Sequence, residues 1–216
     1  MAVYNRLNAA HGPLHWWPGE SAFEISIGAI LAQNTAWRNV TATLRNLRSA
    51  GIWSIQAIHR TPLERLAETI RPSGYFNTKA RKLKEFAAFI TGQFGGDLDA
   101  CLALPGHQLR PRLLTVWGIG EETADDVVLY AAGQPSFVID AYTRRIVDRL
   151  GWRTSGNRYA DYQALFHERL PHDAALFNQY HALLVRHGAR TCRPKPLCER
   201  CPLLDICPTG PNPAEG

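Results

Sequence analysis

The chain has 216 residues, of which 45% are apolar and 10% aromatic, enough to bury a sizeable core as one large domain or two small ones. Its first twenty residues, with His11-Gly12-Pro13 and Trp16-Trp17-Pro18, contain no continuous apolar run, so neither a signal peptide nor a membrane span is expected and the cytoplasm is the default. A formal charge of +5 and a pI near 9.1 favour anionic partners. The 24 basic residues include only four lysines, Lys79, Lys82, Lys84 and Lys195, but a GC-rich genome produces the same arginine bias, which is therefore no evidence of function.

Apolar spacing is helical along almost the whole chain. Phe23, Ile27, Ile30 and Leu31 fall on one helical face, and Val40, Leu44 and Leu47 resume the pattern after Asn34-Thr35. A helix is predicted over Pro62 to Ile70, with Thr61 as cap and Pro62 in the first turn, and another over Asn77 to Phe94. Pro111 to Trp117 and Glu121 to Ala132 flank a glycine hairpin, and Ala141 to Leu150, Tyr159 to Leu170 and Asp173 to His187 complete the series. No segment alternates with a period of two, so the expected class is all-α, with a frayed tail after Pro208.

Three features carry chemistry. In the hairpin, Gly118 and Gly120 let the backbone turn tightly and approach a partner, and the following helix aims its unpaired N–H groups at the turn, an arrangement suited to a phosphate. Many helix-to-helix connections use glycine for geometry alone. Twenty residues after Gly120 stands Asp140, which begins another helix and is, by residue type, an ordinary N-cap. At the C-terminus, Cys192, Cys198, Cys201 and Cys207 are spaced C-x5-C-x2-C-x5-C beside a cysteine-poor body, which favours metal ligation over a disulfide framework. One short hook between two longer loops suits a cubane cluster at least as well as zinc. Cys101 stands apart and reads as a small buried apolar residue.

Together these motifs resemble the endonuclease III branch of the helix-hairpin-helix DNA glycosylases, and the resemblance spans nearly the whole chain, including Ala32-Gln33-Asn34-Thr35, Gly74 to Ala80 and His187 to Cys192. Within it, His15-Trp16-Trp17-Pro18 and Leu31 to Thr35 look closest to the endonuclease-III-like 3-methyladenine DNA glycosylases. The resemblance implies a six-helix barrel with the hairpin over residues 22–132. It also implies a second helical domain from 1–21 and 133–216 that carries a [4Fe-4S] cluster on the four cysteines, with damaged double-stranded DNA across the cleft. It implies a monomer in the nucleoid-associated cytoplasm.

Two departures from the family pattern stand out. The first cysteine interval is one residue shorter than the usual six and contains Pro194 and Pro196, and Glu122 occupies the position of the lysine that bifunctional members use to form an imine. A carboxylate cannot form an imine with deoxyribose, so the expected reaction is monofunctional hydrolysis of the N-glycosidic bond. Asp140 is then the catalytic carboxylate, stabilising positive charge on the sugar and orienting the water. Gln33 resembles the wedge that fills the stack when a base flips out, while Trp16, Trp17, Trp37 and Glu122 are candidates for the base pocket. The tryptophans have core packing as their ordinary alternative. Backbone from Gly118, Ile119, Gly120 and Glu121, with Arg190, Arg193 and Lys195, is expected to hold phosphates, the hairpin with a monovalent cation. Arg186 and Arg200 extend the basic run around the cysteines. The cluster reads as a brace, and Asp125 and Asp126 as a solvated or salt-bridged face without chemistry. A glycosylase with lyase activity through another amine, or a DNA-binding protein that kept the scaffold, are the competing readings.

Overall fold

The computed structural model describes residues 1–210, which are helical with no β-strand among them, as the periodicity predicts. They form two compact units, Pro18–Gln134 and a second that joins Met1–Trp17 to the chain from Pro135 onward. For residues 211–216 the expected fraying lies outside the described residues.

The first unit is built around α2 (Ala22–Ala32). Ser21 caps it by accepting from the Glu24 N–H at 3.2 Å, and Ser26 to Leu31 are all buried, as befits a helix that is apolar nearly all round. Around it stand α3 (Trp37–Ser49), α4 (Ile55–Arg60), α5 (Leu63–Thr69) and the long α6 (Phe76–Phe94). Leu83, Phe86, Ala87 and Ile90 place one wholly buried face of α6 at helical spacing, each of the larger side chains contributing roughly 1.5–3 kcal/mol of transfer free energy. The short α7 (Leu98–Leu102), α8 (Gly106–Leu114) and α9 (Glu121–Asp126) follow, and α9 runs into a π-helical turn, Val127–Ala131, that packs on α2.

Several helix limits differ from expectation. Thr61 does not cap α5: it ends α4, its hydroxyl donating to the Ala57 carbonyl at 2.7 Å, and Pro62 holds the N-cap position instead. Pro111 lies inside α8 and does not begin it. Leu109 and Leu113 are both fully buried one turn apart, so the helix must start early enough to include Leu109, and the Pro105 carbonyl receives the Gln108 and Leu109 N–H groups. Of the two alternatives for Asp125 and Asp126, Asp125 takes the salt-bridged one: it is fully buried and accepts from Nε and Nη2 of Arg110 at 2.8 and 2.9 Å, and Asp126 is buried too, so neither is solvated.

In the second unit α1 (Ala2–His11), which the periodicity did not single out, packs on α12 (Ala174–Arg190), and α12 packs on α10 (Ala141–Arg149). Gly188 makes the latter approach close, since a Cβ there would lie 2.6 Å from Cβ of Tyr142. Phe137 stacks on Phe166 of α11 (Tyr159–His167) at 3.8 Å and meets Phe177 and Tyr180 edge-on.

Candidate functional site

Gly118 is the residue that turns the hairpin. Its φ of +86° suits glycine, and the aliphatic chain of Lys82 lies so close that a Cβ would come within 2.4 Å of Lys82 Cγ. Gly120 differs: at φ −92° and ψ −179° it is extended, a conformation open to any residue, and nothing in the protein lies within 4 Å of the Cβ position. Its lack of a side chain leaves the N-terminus of α9 open to an outside group. Ile119 is buried and anchors the tip, whereas Glu121 and Glu122 are exposed in the first turn, where negative charge is favoured by the helix dipole.

Gln33 sits beside this hairpin at the end of α2. Its amide nitrogen donates to the Gly118 carbonyl at 3.2 Å and to the Thr123 hydroxyl at 2.9 Å, and its oxygen accepts from Lys82. The Ala32 to Thr35 turn is pinned from below by Lys79, buried to 2% exposure, whose ammonium donates to the Leu31 and Ser73 carbonyls at 2.8 and 2.7 Å and to the Thr35 hydroxyl. Burial, with the neighbouring Lys82 charge, lowers the Lys79 pKa to about 8.

Asp140 is presented by an extended segment held at three points. Tyr159, Gln163 and His167 recur every fourth residue on α11. The Tyr159 hydroxyl accepts from the Ile139 N–H at 3.0 Å, Gln163 donates to the Phe137 carbonyl at 2.8 Å, and His167 Nε2 accepts from the Phe137 N–H at 3.0 Å. At the end of this segment Asp140 Oδ1 caps α10, accepting from the Thr143 N–H at 2.7 Å, so the capping role read from the sequence is real. Oδ2 points the other way, 3.8 Å from Nε2 of His181, and the Asp140 side chain keeps 14% exposure. Burial holds His181 below the usual histidine range, with the Asp140 charge pulling it back up. One carboxylate therefore holds the helix with one oxygen and leaves the other available.

The tryptophans divide between the units. Trp16 and Trp17 are half-buried in one, their rings 5.7 Å apart and tilted by 60°. Trp37 belongs to the other, where it lines a concavity with Glu24, Arg45, Arg48 and Trp53, and the Arg48 guanidinium lies 4.5 Å above the Trp53 ring.

The four C-terminal cysteines are free thiols lining one cavity, and Cys101 is buried in the other unit. Among the described residues no group of three or more His, Cys, Asp or Glu side chains is arranged as a ready-made metal site. One contact suits a soft anionic ligand: Arg149 donates to Cys192 Sγ at 3.3 Å. His187 Nε2 lies 3.6 Å from Cys201 Sγ, and burial, with the other three cysteines crowded beside it, raises the Cys201 thiol and so favours its neutral form. The shortened, proline-containing interval is held by α10: Arg149 donates to the Arg193 and Pro194 carbonyls at 2.7 and 2.9 Å, and Arg145 to the Cys192 and Gly188 carbonyls at 2.8 and 2.9 Å. These two arginines, like Lys82 and His181, were not singled out in the sequence, although Arg145 and Arg149 stand one helical turn apart. Arg190, Arg193, Lys195 and Arg200 are exposed around the cysteines, and Arg186 is half-buried.

A family model for base excision DNA repair proteins of the HhH-GPD superfamily matches residues 27–172, a span that includes both the hairpin and Asp140. The chain belongs to that superfamily. Two relatives extend the match. A Methanocaldococcus jannaschii protein that bears the name DNA repair glycosylase is 38% identical over 212 residues, covering 95% of this chain and 94% of its own. Endonuclease III of Sulfolobus acidocaldarius is 31% identical over 189 residues, covering 87% and 82%. The solved structure of an H. pylori 3-methyladenine DNA glycosylase bound to 1,N6-ethenoadenine superposes with a TM-score of 0.75 at 27% identity, covering 86% of this chain and 95% of that one. The protein is thus a base excision repair DNA glycosylase of the HhH-GPD superfamily with an endonuclease III-like helical fold.

Proposed function

We propose that this glycosylase is monofunctional and removes an alkylated, 3-methyladenine-like base from duplex DNA. The observation that carries the reading is Glu122, exposed at the second position of α9 where an imine-forming lysine would stand. Without that amine the sugar is attacked by water. The C1′–N bond breaks and the leaving base takes the electron pair. Positive charge developing on the deoxyribose is stabilised by Asp140, whose free oxygen also orients the water and accepts its proton, and an abasic site in an unbroken strand results. His181 Nε2 lies 3.8 Å from that oxygen, and burial disfavours its charged form while the Asp140 charge favours it.

Selectivity for a cationic base follows from aromatic faces, worth roughly 0.5–2 kcal/mol for a cation over a neutral ring. Trp16 and Trp17 are the faces proposed, Trp37 lining instead a concavity with Arg45 and Arg48 in the other unit, and a cationic purine is already a good leaving group. The ethenoadenine-bound relative supports a modified purine as substrate. Phosphates are assigned to the backbone of Gly118 to Glu121, opened by Gly120, and to Arg190, Arg193 and Lys195. Gln33 is proposed to enter the gap that the flipped base leaves. Cys192, Cys198, Cys201 and Cys207 would hold a [4Fe-4S] cluster, which supplies cross-linking of the C-terminal loop when bound.

The endonuclease III relative favours one competing reading, in which another amine gives lyase activity. The test uses duplexes carrying alkylated, oxidised, deaminated or mismatched bases, scored for free base, for strand breaks before and after alkali, and for adducts trapped by borohydride. The proposal requires base release from alkylated DNA with alkali-dependent breaks and no adduct.

A further inference from the structure

Lys82 has no part in the proposed reaction, yet it joins three parts of the hairpin's surroundings. It projects from α6, its methylenes cover Gly118, and its ammonium donates to the amide oxygen of Gln33, forty-nine residues away in the chain. The same amide then turns its nitrogen to Gly118 O and Thr123 Oγ1. A side-chain amide has two chemically different ends, and an ammonium has donors only, so Lys82 can meet the oxygen alone. That forces the NH2 group toward the hairpin carbonyl. Burial lowers the Lys82 pKa.

We propose that Lys82 is the positioning residue for Gln33: it fixes the orientation of the amide and parks it against the hairpin, and releases it when a DNA phosphate at Gly118 to Glu121 competes for the ammonium. The proposal rests on the reading of Gln33 as the residue that enters the stack. It deepens that reading by making wedge entry depend on phosphate engagement, so that undamaged, undocked protein keeps the wedge withdrawn. Lys79, one turn earlier on α6, has no such freedom, because its ammonium is buried among three acceptors, the Leu31 carbonyl, the Thr35 hydroxyl and the Ser73 carbonyl.

The experiment is a double-mutant cycle in stopped flow, with a duplex carrying a tetrahydrofuran abasic analogue opposite 2-aminopurine, whose fluorescence rises when the wedge unstacks it. This duplex needs no knowledge of the damaged base. Wild type, Lys82→Met, Gln33→Ala and the double variant are compared, with melting temperatures as a control. Methionine keeps the unbranched chain over Gly118, and Lys82→Leu, which likewise lacks a donor, serves if it fails to fold. Loss of the charged hydrogen bond that holds the wedge back predicts about a tenfold faster fluorescence phase in Lys82→Met, and no change when that substitution is added to Gln33→Ala. A Lys82 effect that persists undiminished in the Gln33→Ala background, or an unchanged or slower phase in Lys82→Met or Lys82→Leu while Gln33→Ala is slow, overturns the proposal and leaves the wedge reading standing. A wild-type phase in Gln33→Ala overturns both.

Discussion

Asp140→Asn separates the two tasks that one carboxylate performs. The cap uses Oδ1, which accepts from the Thr143 N–H at 2.7 Å, and an asparagine carbonyl can accept the same bond. What the change removes structurally is negative charge at the N-terminus of α10, about 0.3–1 kcal/mol, or roughly 1–4 °C in melting temperature for a chain of this size. Asp140→Ala loses the cap as well and costs about 1 kcal/mol more. The catalytic loss should be far larger in both. Removing a preorganised charge aimed at the transition state costs on the order of 3–4 kcal/mol, a hundredfold to a thousandfold in single-turnover base release. The assay pairs thermal melting with release of free base from methylated duplex under enzyme excess. Asp140→Asn should melt within a few degrees of wild type and release base at least a hundredfold more slowly. If its release is within tenfold of wild type, or if Asn and Ala lose activity only in proportion to their loss of stability, Asp140 is a cap and nothing more.

Other outcomes follow from the same geometry. Gly118→Ala should destabilise by about 1–3 kcal/mol, through its left-handed φ and the displaced Lys82 chain, whereas Gly120→Ala should leave melting almost unchanged and weaken binding to abasic-analogue DNA, measured by anisotropy titration. Asp125→Ala leaves the Arg110 fork without its buried carboxylate and should cost about 2–4 kcal/mol in denaturant titration, less than a fully enclosed pair because Arg110 is partly exposed. His181 has a folded-state pKa below that of the unfolded chain, so acidification protonates the unfolded state first. Stability should be complete above about pH 6.5 and fall as pH drops below it, with a shallower fall in His181→Gln. Cys201→Ser should abolish the brown colour and bound iron of purified protein, and zinc with no iron in the wild type would refute the cluster assignment.

Much of this arrangement was legible in the sequence. The apolar period located α2, α3, α6 and α10, because each buries a continuous run of side chains at helical spacing, and α10 also begins at a residue suited to cap it. The helices that escaped are α1, α4 and α7, the latter two only six and five residues long. They are too short to display a period, and they exist because tertiary burial of Ile55, Ile58, Cys101 and Leu102 holds them. Pro111 misled because proline usually marks a first turn, whereas here burial of Leu109 outweighs the lost hydrogen bond. Within the site, single residues with strong local signatures were readable: Gly118 by its turn, Asp140 by its position before a helix, the cysteines by spacing. Roles that depend on distant residues meeting were not. Lys82 reaches Gln33 across forty-nine positions, His181 reaches Asp140 from another helix, and Arg145 and Arg149 clamp a loop more than forty residues away. Nothing in the local composition of those residues distinguishes them from ordinary basic side chains.

The chemistry proposed for this enzyme turns on base removal without an imine. The most direct measurement incubates the wild-type protein with duplex carrying 3-methyladenine in the presence of borohydride, and quantifies free base, strand breaks and covalent adduct in the same reaction. That chemistry predicts free base in amounts equal to alkali-labile sites, a strand intact until alkali is added, and no adduct. A borohydride-trapped adduct, or strand cleavage that keeps pace with base release without alkali, would contradict it.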